Sequence, residues 1–242
     1  MSQPSYDVVA IGNAIVDVLS QADDAFIASE GLTKGSMQLL FTTEEAEALY
    51  AKMGPGIEAS GGSAANTLAG MASLGAKVAF IGQVADDQLG EVFRHDINAI
   101  GVTFDTPARA GEPTTARCLI LVTPDGQRTM NTFLGAAQYL PESALDRSMI
   151  EDAGILYLEG YLWNAPESRA AMTKAIDIAK GAGRRVALTL SDTFVVDAHR
   201  DEFFELIDGG KLDLLFCNDA ELGALMQSED IAGAVEALSA RI

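Results

Sequence analysis

From Ile155 onward the chain alternates short apolar runs with segments of helical periodicity, and this alternation is what most restricts its fold. Ile155–Leu162, Arg185–Leu190 and Leu212–Cys217 read as strands. Pro166 opens a helix with Met172, Ala175, Ile176 and Ala179 on one face, and Ala198–Ile207 and Asp219–Met226 read as two more helices. Strands that are apolar without alternation are buried on both faces, and strands separated by single helices pair in parallel. The first hundred residues repeat the theme. Tyr6–Gly12 and Val78–Val84 are buried-strand runs, and Ser63–Leu74 is a helix of small residues stopped by Gly75. Leu89, Val92, Phe93, Ile97 and Ile100 recur at helical spacing before Gly101, and Thr42 to Glu45 forms a capping-box pattern. The expectation is an α/β sandwich with a central, mainly parallel sheet and helices on both faces.

The middle of the chain does not follow this pattern. Ala116–Val122 and Gln127–Leu134 flank Thr123-Pro124-Asp125-Gly126, and an Asp-Gly step between two strand-like runs signals a hairpin. Together with an extended piece near Met37–Phe41 it reads as a small β insertion, so the chain is expected to be one α/β domain over 1–242 with β lid segments near 17–41 and 102–134. The 242 residues allow one large or two small domains at about 150 residues per domain, and no interdomain linker divides them. The last apolar series, Ile231, Val235, Leu238 and Ile242, is still helical where the sequence stops, so a C-terminal part is expected to be missing.

Charge excludes some functions. The formal net charge is −19, and no cluster of Lys and Arg offers a nucleic-acid or anionic-membrane surface. No apolar stretch approaches the ~20 residues of a membrane span, and no basic-then-apolar leader opens the chain, so a cytoplasmic protein is expected. Cys118 and Cys217, each in an apolar run, read as small core hydrophobes. No metal or catalytic role is expected for His95 or His199.

Four constellations fall at strand ends or helix starts, the edge of an open α/β sheet where ligands bind. In Gly12-Asn13-Ala14-Ile15-Val16-Asp17, a carboxylate and an amide can hold vicinal hydroxyls; a plain polar turn with Asp17 in solvent fits as well. Gly61-Gly62-Ser63-Ala64-Ala65-Asn66 allows close backbone approach to a ligand at a helix start, or is a flexible joint with Ser63 as N-cap. Arg128 after the hairpin turn is either a phosphate clamp or a surface cation. Asn218-Asp219-Ala220-Glu221 is a reciprocal helix cap, or a group placed near Mg²⁺ and phosphates. There is no Gly-x-x-x-x-Gly-Lys-Ser/Thr loop and no Gly-x-Gly-x-x-Gly.

In this order and spacing the segments resemble the PfkB (ribokinase-like) carbohydrate and nucleoside kinases. The resemblance rests on Gly-Asn-x-x-x-Asp, Gly-Gly-Ser-Ala-Ala-Asn, Phe80-Ile81-Gly82-Gln83-Val84-Ala85-Asp86-Asp87 with Gly90, and Asn-x-x-Glu, from about Tyr6 to Leu225. It implies an α/β sandwich with a small β lid, and phosphoryl transfer from ATP, with Mg²⁺, to a hydroxymethyl group. Asn13, Asp17 and Asn66 would bind sugar hydroxyls, and Gly61 and Gly62 would form the lid hinge. Arg128 would meet the transferred phosphoryl, and Asn218 and Glu221 would organise Mg²⁺ and phosphates.

Ser63, Pro113-Thr114-Thr115 and Leu190-Ser191-Asp192-Thr193-Phe194 look like adenosine kinases. By that likeness Ile15, Met37, Leu39, Met130, Leu134 and Phe194 would line a base pocket, though Tyr161-Leu162 stands where such kinases can carry a Phe pair. The family's catalytic Asp lies in a Gly-Ala-Gly-Asp segment that this sequence lacks, and is expected beyond Ile242. The resemblance implies adenosine as substrate, in a monomer or homodimer. A kinase acting on ribose, fructose or a keto-deoxy sugar acid, and a non-catalytic nucleoside- or sugar-binding module, are the alternatives.

Overall fold

The computed structural model describes residues 4–242. The chain runs β1 (Tyr6–Ile11), β2 (Ile15–Gln21), α1 (Asp24–Ser29), β3 (Met37–Leu40), α2 (Thr43–Tyr50), β4 (Gly56–Gly61) and α3 (Ser63–Ser73). There follow β5 (Val78–Ile81), α4 (Gln88–Ala99), β6 (Val102–Thr103), β7 (Ala116–Val122) and β8 (Arg128–Phe133). The last part comprises α5 (Arg147–Glu151), β9 (Ala153–Glu159), α6 (Pro166–Gly181), β10 (Arg185–Thr189), α7 (Thr193–Asp208), β11 (Leu214–Phe216), α8 (Asp219–Met226) and α9 (Ile231–Ser239).

These strands form two sheets. The larger has six strands in the order β11-β10-β9-β1-β5-β6, every pair parallel. The smaller has five, in the order β3-β8-β7-β2-β4, with β2/β7 and β3/β8 parallel and β2/β4 and β7/β8 antiparallel. On one face of the large sheet Val9, Ile11, Leu156, Leu158, Val186 and Leu188 pack against α6, α7 and α8 through Met172, Ile176, Val196, Phe203 and Leu225. On the other, Val8, Ala10, Val78 and Phe80 meet Leu68 of α3 and Phe93 and Ile97 of α4. Phe80, Phe93 and Phe104 form an aromatic knot with centroids 5.1–5.9 Å apart. Val16, Val18 and Leu119 of the small sheet join this second core, so one face of the small sheet is tied to the main body.

The expected α/β architecture and hairpin are present, with the turn glycine Gly126 at φ +82. The Thr42–Glu45 capping box and α8 stand where the sequence placed them. The outline of the small sheet differs from expectation. Val102–Thr103 extends the large sheet beside β5, and Gly56–Gly61, which no alternation announced, supplies an edge strand beside β2. Helix α7 begins at Thr193, capped by Asp192, five residues before the expected start. The backbone breaks from helical geometry at His199, whose ring bonds Glu202 and Asn164, and this kink hides the periodicity of the first turns. Cys118 is buried as expected, whereas Cys217 is exposed, because it follows a three-residue strand at the sheet's edge. Cover on the α3 side is also uneven. Leu214 and Phe216 are 38% and 54% exposed and, with Val8, Met71, Ile155 and Tyr157, border an apolar cleft of about 340 Å³. No helix among the described residues is long and apolar enough to cross a membrane.

Candidate active site

Two short crossings join the sheets: Gly12–Ala14, from β1 into β2, and Gly62, from β4 into α3. The first is the predicted Asn/Asp segment, with a correction. The turn occupies only residues 12–14, and Ile15 already belongs to β2, so Asp17 sits inside a strand of the small sheet rather than in a polar turn. It is only partly exposed to solvent. Burial pushes the Asp17 carboxyl up to about 6, and the positive charge of Arg128 opposes that rise. Asn13 is buried and donates its backbone N–H to Glu159 Oε2 at 2.6 Å.

At the second crossing the helix starts at Ser63 with Gly62 as its N-cap, so Ser63 is not the cap. Gly62 has φ +95, and a Cβ there would overlap the carbonyl oxygen of Asn13. A Cβ on neighbouring Gly61 would overlap the Asp17 carboxylate, so the two crossings touch through two residues without side chains. Asn66 stands exposed in the first turn of α3. The Ser63 hydroxyl donates to Glu159 Oε1 at 2.7 Å.

Register then decides what faces Asp17. Asp17 pairs with Cys118 of β7, Cys118 with Thr132 of β8, and Thr132 with Leu39 of β3. Side chains two apart in a strand share a face, so Ile15, Asp17, Arg128, Met130, Met37 and Leu39 all project from one side of the small sheet. Ile15 belongs to a small cluster with Ala116, Cys118 and Ile120, against which Met130 and Leu134 pack. Met37 and Leu39 remain 41% and 39% exposed, so this face is apolar and half open. The opposite face carries Val16, Val18 and Leu119 into the core.

Phe194 is not part of that cluster. It lies in the first turn of α7, 43% exposed, with its ring 6.1 Å from that of Tyr161. Leu162, beside Tyr161, is buried in the large-sheet core. Asn218 and Glu221 stand together at the start of α8 in a reciprocal cap: Asn218 Oδ1 accepts from the Glu221 N–H at 2.8 Å, and Asn218 Nδ2 donates to Glu221 Oε1 at 2.7 Å. Glu221 is buried with its oxygens so engaged, and the described residues contain no cluster of three His, Cys, Asp or Glu able to hold a metal.

Sequence reasoning missed Glu159. It closes β9, is 1% exposed, and bonds both crossings at once. The only signal was a lone carboxylate inside the otherwise apolar run Ile155–Leu162.

Comparison with known proteins bears on this arrangement. The profile of the pfkB family of carbohydrate kinases matches residues 25–242. The crystal structure of adenosine kinase from Sinorhizobium meliloti superposes with a TM-score of 0.87 at 48% identity, over 98% of this chain and 72% of that one. A probable sugar kinase protein from Rhizobium etli CFN 42 gives 0.88 at 45% identity, over the same shares. Probable fructokinase-5 of Arabidopsis thaliana is 30% identical over 156 residues, covering 62% of this chain and 47% of its own length. The chain thus spans about half or less of that plant relative.

Proposed function

The chain belongs to the pfkB family of carbohydrate kinases, and we propose that it binds the acceptor in an ATP-dependent phosphoryl transfer to the hydroxymethyl group of a nucleoside, with adenosine as that nucleoside. One observation carries the reading. The small sheet puts a carboxylate, a guanidinium and a half-open apolar strip on the same face, in Asp17, Arg128 and the set Ile15, Met37, Leu39, Met130 and Leu134. A ribose needs the first, a transferred phosphoryl the second and a purine the third. Asp17 and Asn66 would hold sugar hydroxyls, beside the Asn13 turn. Closure of the sheet about Gly61 and Gly62 would exclude the water that hydrolyses ATP. Transfer of this kind is positioning plus charge stabilisation. The 242 residues contain no Gly-Ala-Gly-Asp segment, and no residue here is assigned the part of general base.

A second reading, a sugar acceptor such as fructose, is favoured by the probable sugar kinase at 45% identity and by the fructokinase relatives. Calorimetry and melting shifts with adenosine, ribose and fructose separate the two. A ligand at 100 times its dissociation constant adds ~2.7 kcal/mol to stability, and adenosine should give the larger shift. A larger shift with fructose than with adenosine would replace the first reading by the second.

A further inference from the structure

Glu159 is buried to 1% exposure and carries no ion-pair partner among the described residues. A carboxylate taken out of water is costly unless its oxygens are bonded, and burial here holds the Glu159 carboxyl above its ordinary range. The donors lie on two different segments: Asn13, through its backbone N–H to Oε2 and with its side chain also bonding the carboxylate, and the Ser63 hydroxyl to Oε1. Those segments are the path by which the chain enters the small sheet and the path by which it leaves β4. The fit is tight. A Cβ on Gly12 would overlap Glu159 Oε2, and a Cβ on Gly62 would overlap the Asn13 carbonyl, so carboxylate, turn and helix start interlock. The carboxylate itself is fixed, since Glu159 ends a strand paired to both β1 and β10.

We propose that Glu159 is a positioning residue: its carboxylate pins the first entry into the small sheet and the first exit from it to one point on the large sheet, and so holds Asp17 in place. The consequence for the acceptor rests on the function proposed above; the pin itself does not. The small sheet is also held to the body at Ser60, bonded to Asp96 of α4, and at Thr115, bonded to Asp87, so Glu159 fixes the end of the sheet that carries Asp17. Asp17 feels this directly, because its carboxylate lies against Gly61, next to the pinned Gly62–Ser63 step.

The role is one of hydrogen bonding, so glutamine can fill it: its carbonyl accepts from Asn13 and its amide donates to the Ser63 oxygen. The experiment compares wild type, Glu159→Gln, Glu159→Ala and Ser63→Ala by amide hydrogen exchange, and by calorimetry with adenosine and with fructose. Glu159→Ala should speed exchange at Asn13 and at Asn66–Leu68, the first bonded amides of α3, at least tenfold, leave β5 and β10 protected, and weaken the bound acceptor at least tenfold. Ser63→Ala should loosen only the α3 side, and Glu159→Gln should stay within about threefold of wild type in both readouts. Unchanged exchange at Asn13 in Glu159→Ala overturns the pin. Lost affinity in Glu159→Gln with wild-type exchange also overturns it, because the carboxylate would then act on the ligand itself. If Glu159→Ala does not fold, Ser63→Ala and Glu159→Gln decide by the same criteria. If wild type binds neither ligand, the proposed acceptor fails while the exchange data still judge the pin.

Discussion

The six-stranded sheet is parallel throughout and buries its central strands on both faces, whereas the five-stranded sheet mixes directions and leaves one face half open. Val9, Ala10 and Ile11 of β1 are fully buried, but on β3 of the small sheet Met37 and Leu39 remain about two-fifths exposed. The large sheet is packed at its centre and open only along its β11 edge, at Leu214 and Phe216, where no charged group of the site lies. The small sheet keeps apolar surface in water on the one face that also carries Asp17 and Arg128, and a half-open apolar face beside such groups suits a ligand.

Truncation inside the packed region should cost the most. Phe80 is fully buried with its ring 5.8 Å from Phe93 and 5.9 Å from Phe104, and Phe80→Ala should lose about 3–5 kcal/mol in urea unfolding. A loss below about 1 kcal/mol would mean that the knot repacks and that the large sheet is no better filled than the small one.

The joint between the sheets comes next. Gly62→Ala asks an L-residue to adopt φ +95 and places a methyl against the Asn13 carbonyl, with an expected cost of about 2–3 kcal/mol. If the melting temperature holds, the two crossings are not interlocked and the sheets move independently.

How far each region was legible follows from the same contrast. Ile176 and Ala179 of α6 repeat a helical period, and the runs of β1, β9 and β10 are largely apolar; both patterns are local, and local pattern is what a sequence displays. β4 reads Gly-Ile-Glu-Ala-Ser-Gly, with glycine at both ends and no clean alternation, because as an edge strand it has little to bury. Asp17 and Arg128 were visible as residue types, but only the β2–β7–β8 register brings them to one face, and register joins positions about a hundred residues apart. Glu159 was invisible for a sharper reason: its partners are a backbone N–H and a hydroxyl, respectively 146 and 96 residues away, and neither gives a pattern around it. The capping box at Asn218 and Glu221 was legible because it is local.

Asp17 offers a test that turns on pH. Its carboxyl titrates at about 6 when folded, against 3.8 as an ordinary side chain. The folded state therefore holds its proton longer than the unfolded state, so stability falls as pH rises from about 4 to about 6 and is level above that. At about 1.4 kcal/mol per pH unit the full cost would be about 3 kcal/mol, which solvent screening of this partly exposed group reduces to about 1–2 kcal/mol. Asp17→Asn should raise the melting temperature at pH 7 and leave it unchanged at pH 3.5. It should also lower acceptor affinity by roughly ten- to a hundredfold, the worth of a charged hydrogen-bond partner. A gain in stability with undiminished affinity would take Asp17 out of the site.

The smallest stability effect is expected on the open face, at Met37 and Leu39. Both already lie 41% and 39% in water, so truncation removes contacts that are half made. At about 25 cal/mol per Å² of apolar surface, Met37→Ala or Leu39→Ala should cost less than about 1 kcal/mol in urea unfolding. If this face covers a purine, the same surface is buried a second time when adenosine binds, and the loss appears there instead. Each variant should weaken adenosine by about three- to tenfold in calorimetry while leaving ribose unchanged, because ribose has no base to reach β3. Equal losses for both ligands would mean that β3 orders the lid rather than touching the base. No loss for either would return Met37 and Leu39 to an ordinary solvent-exposed edge and leave the comparison of the two sheets a matter of packing alone.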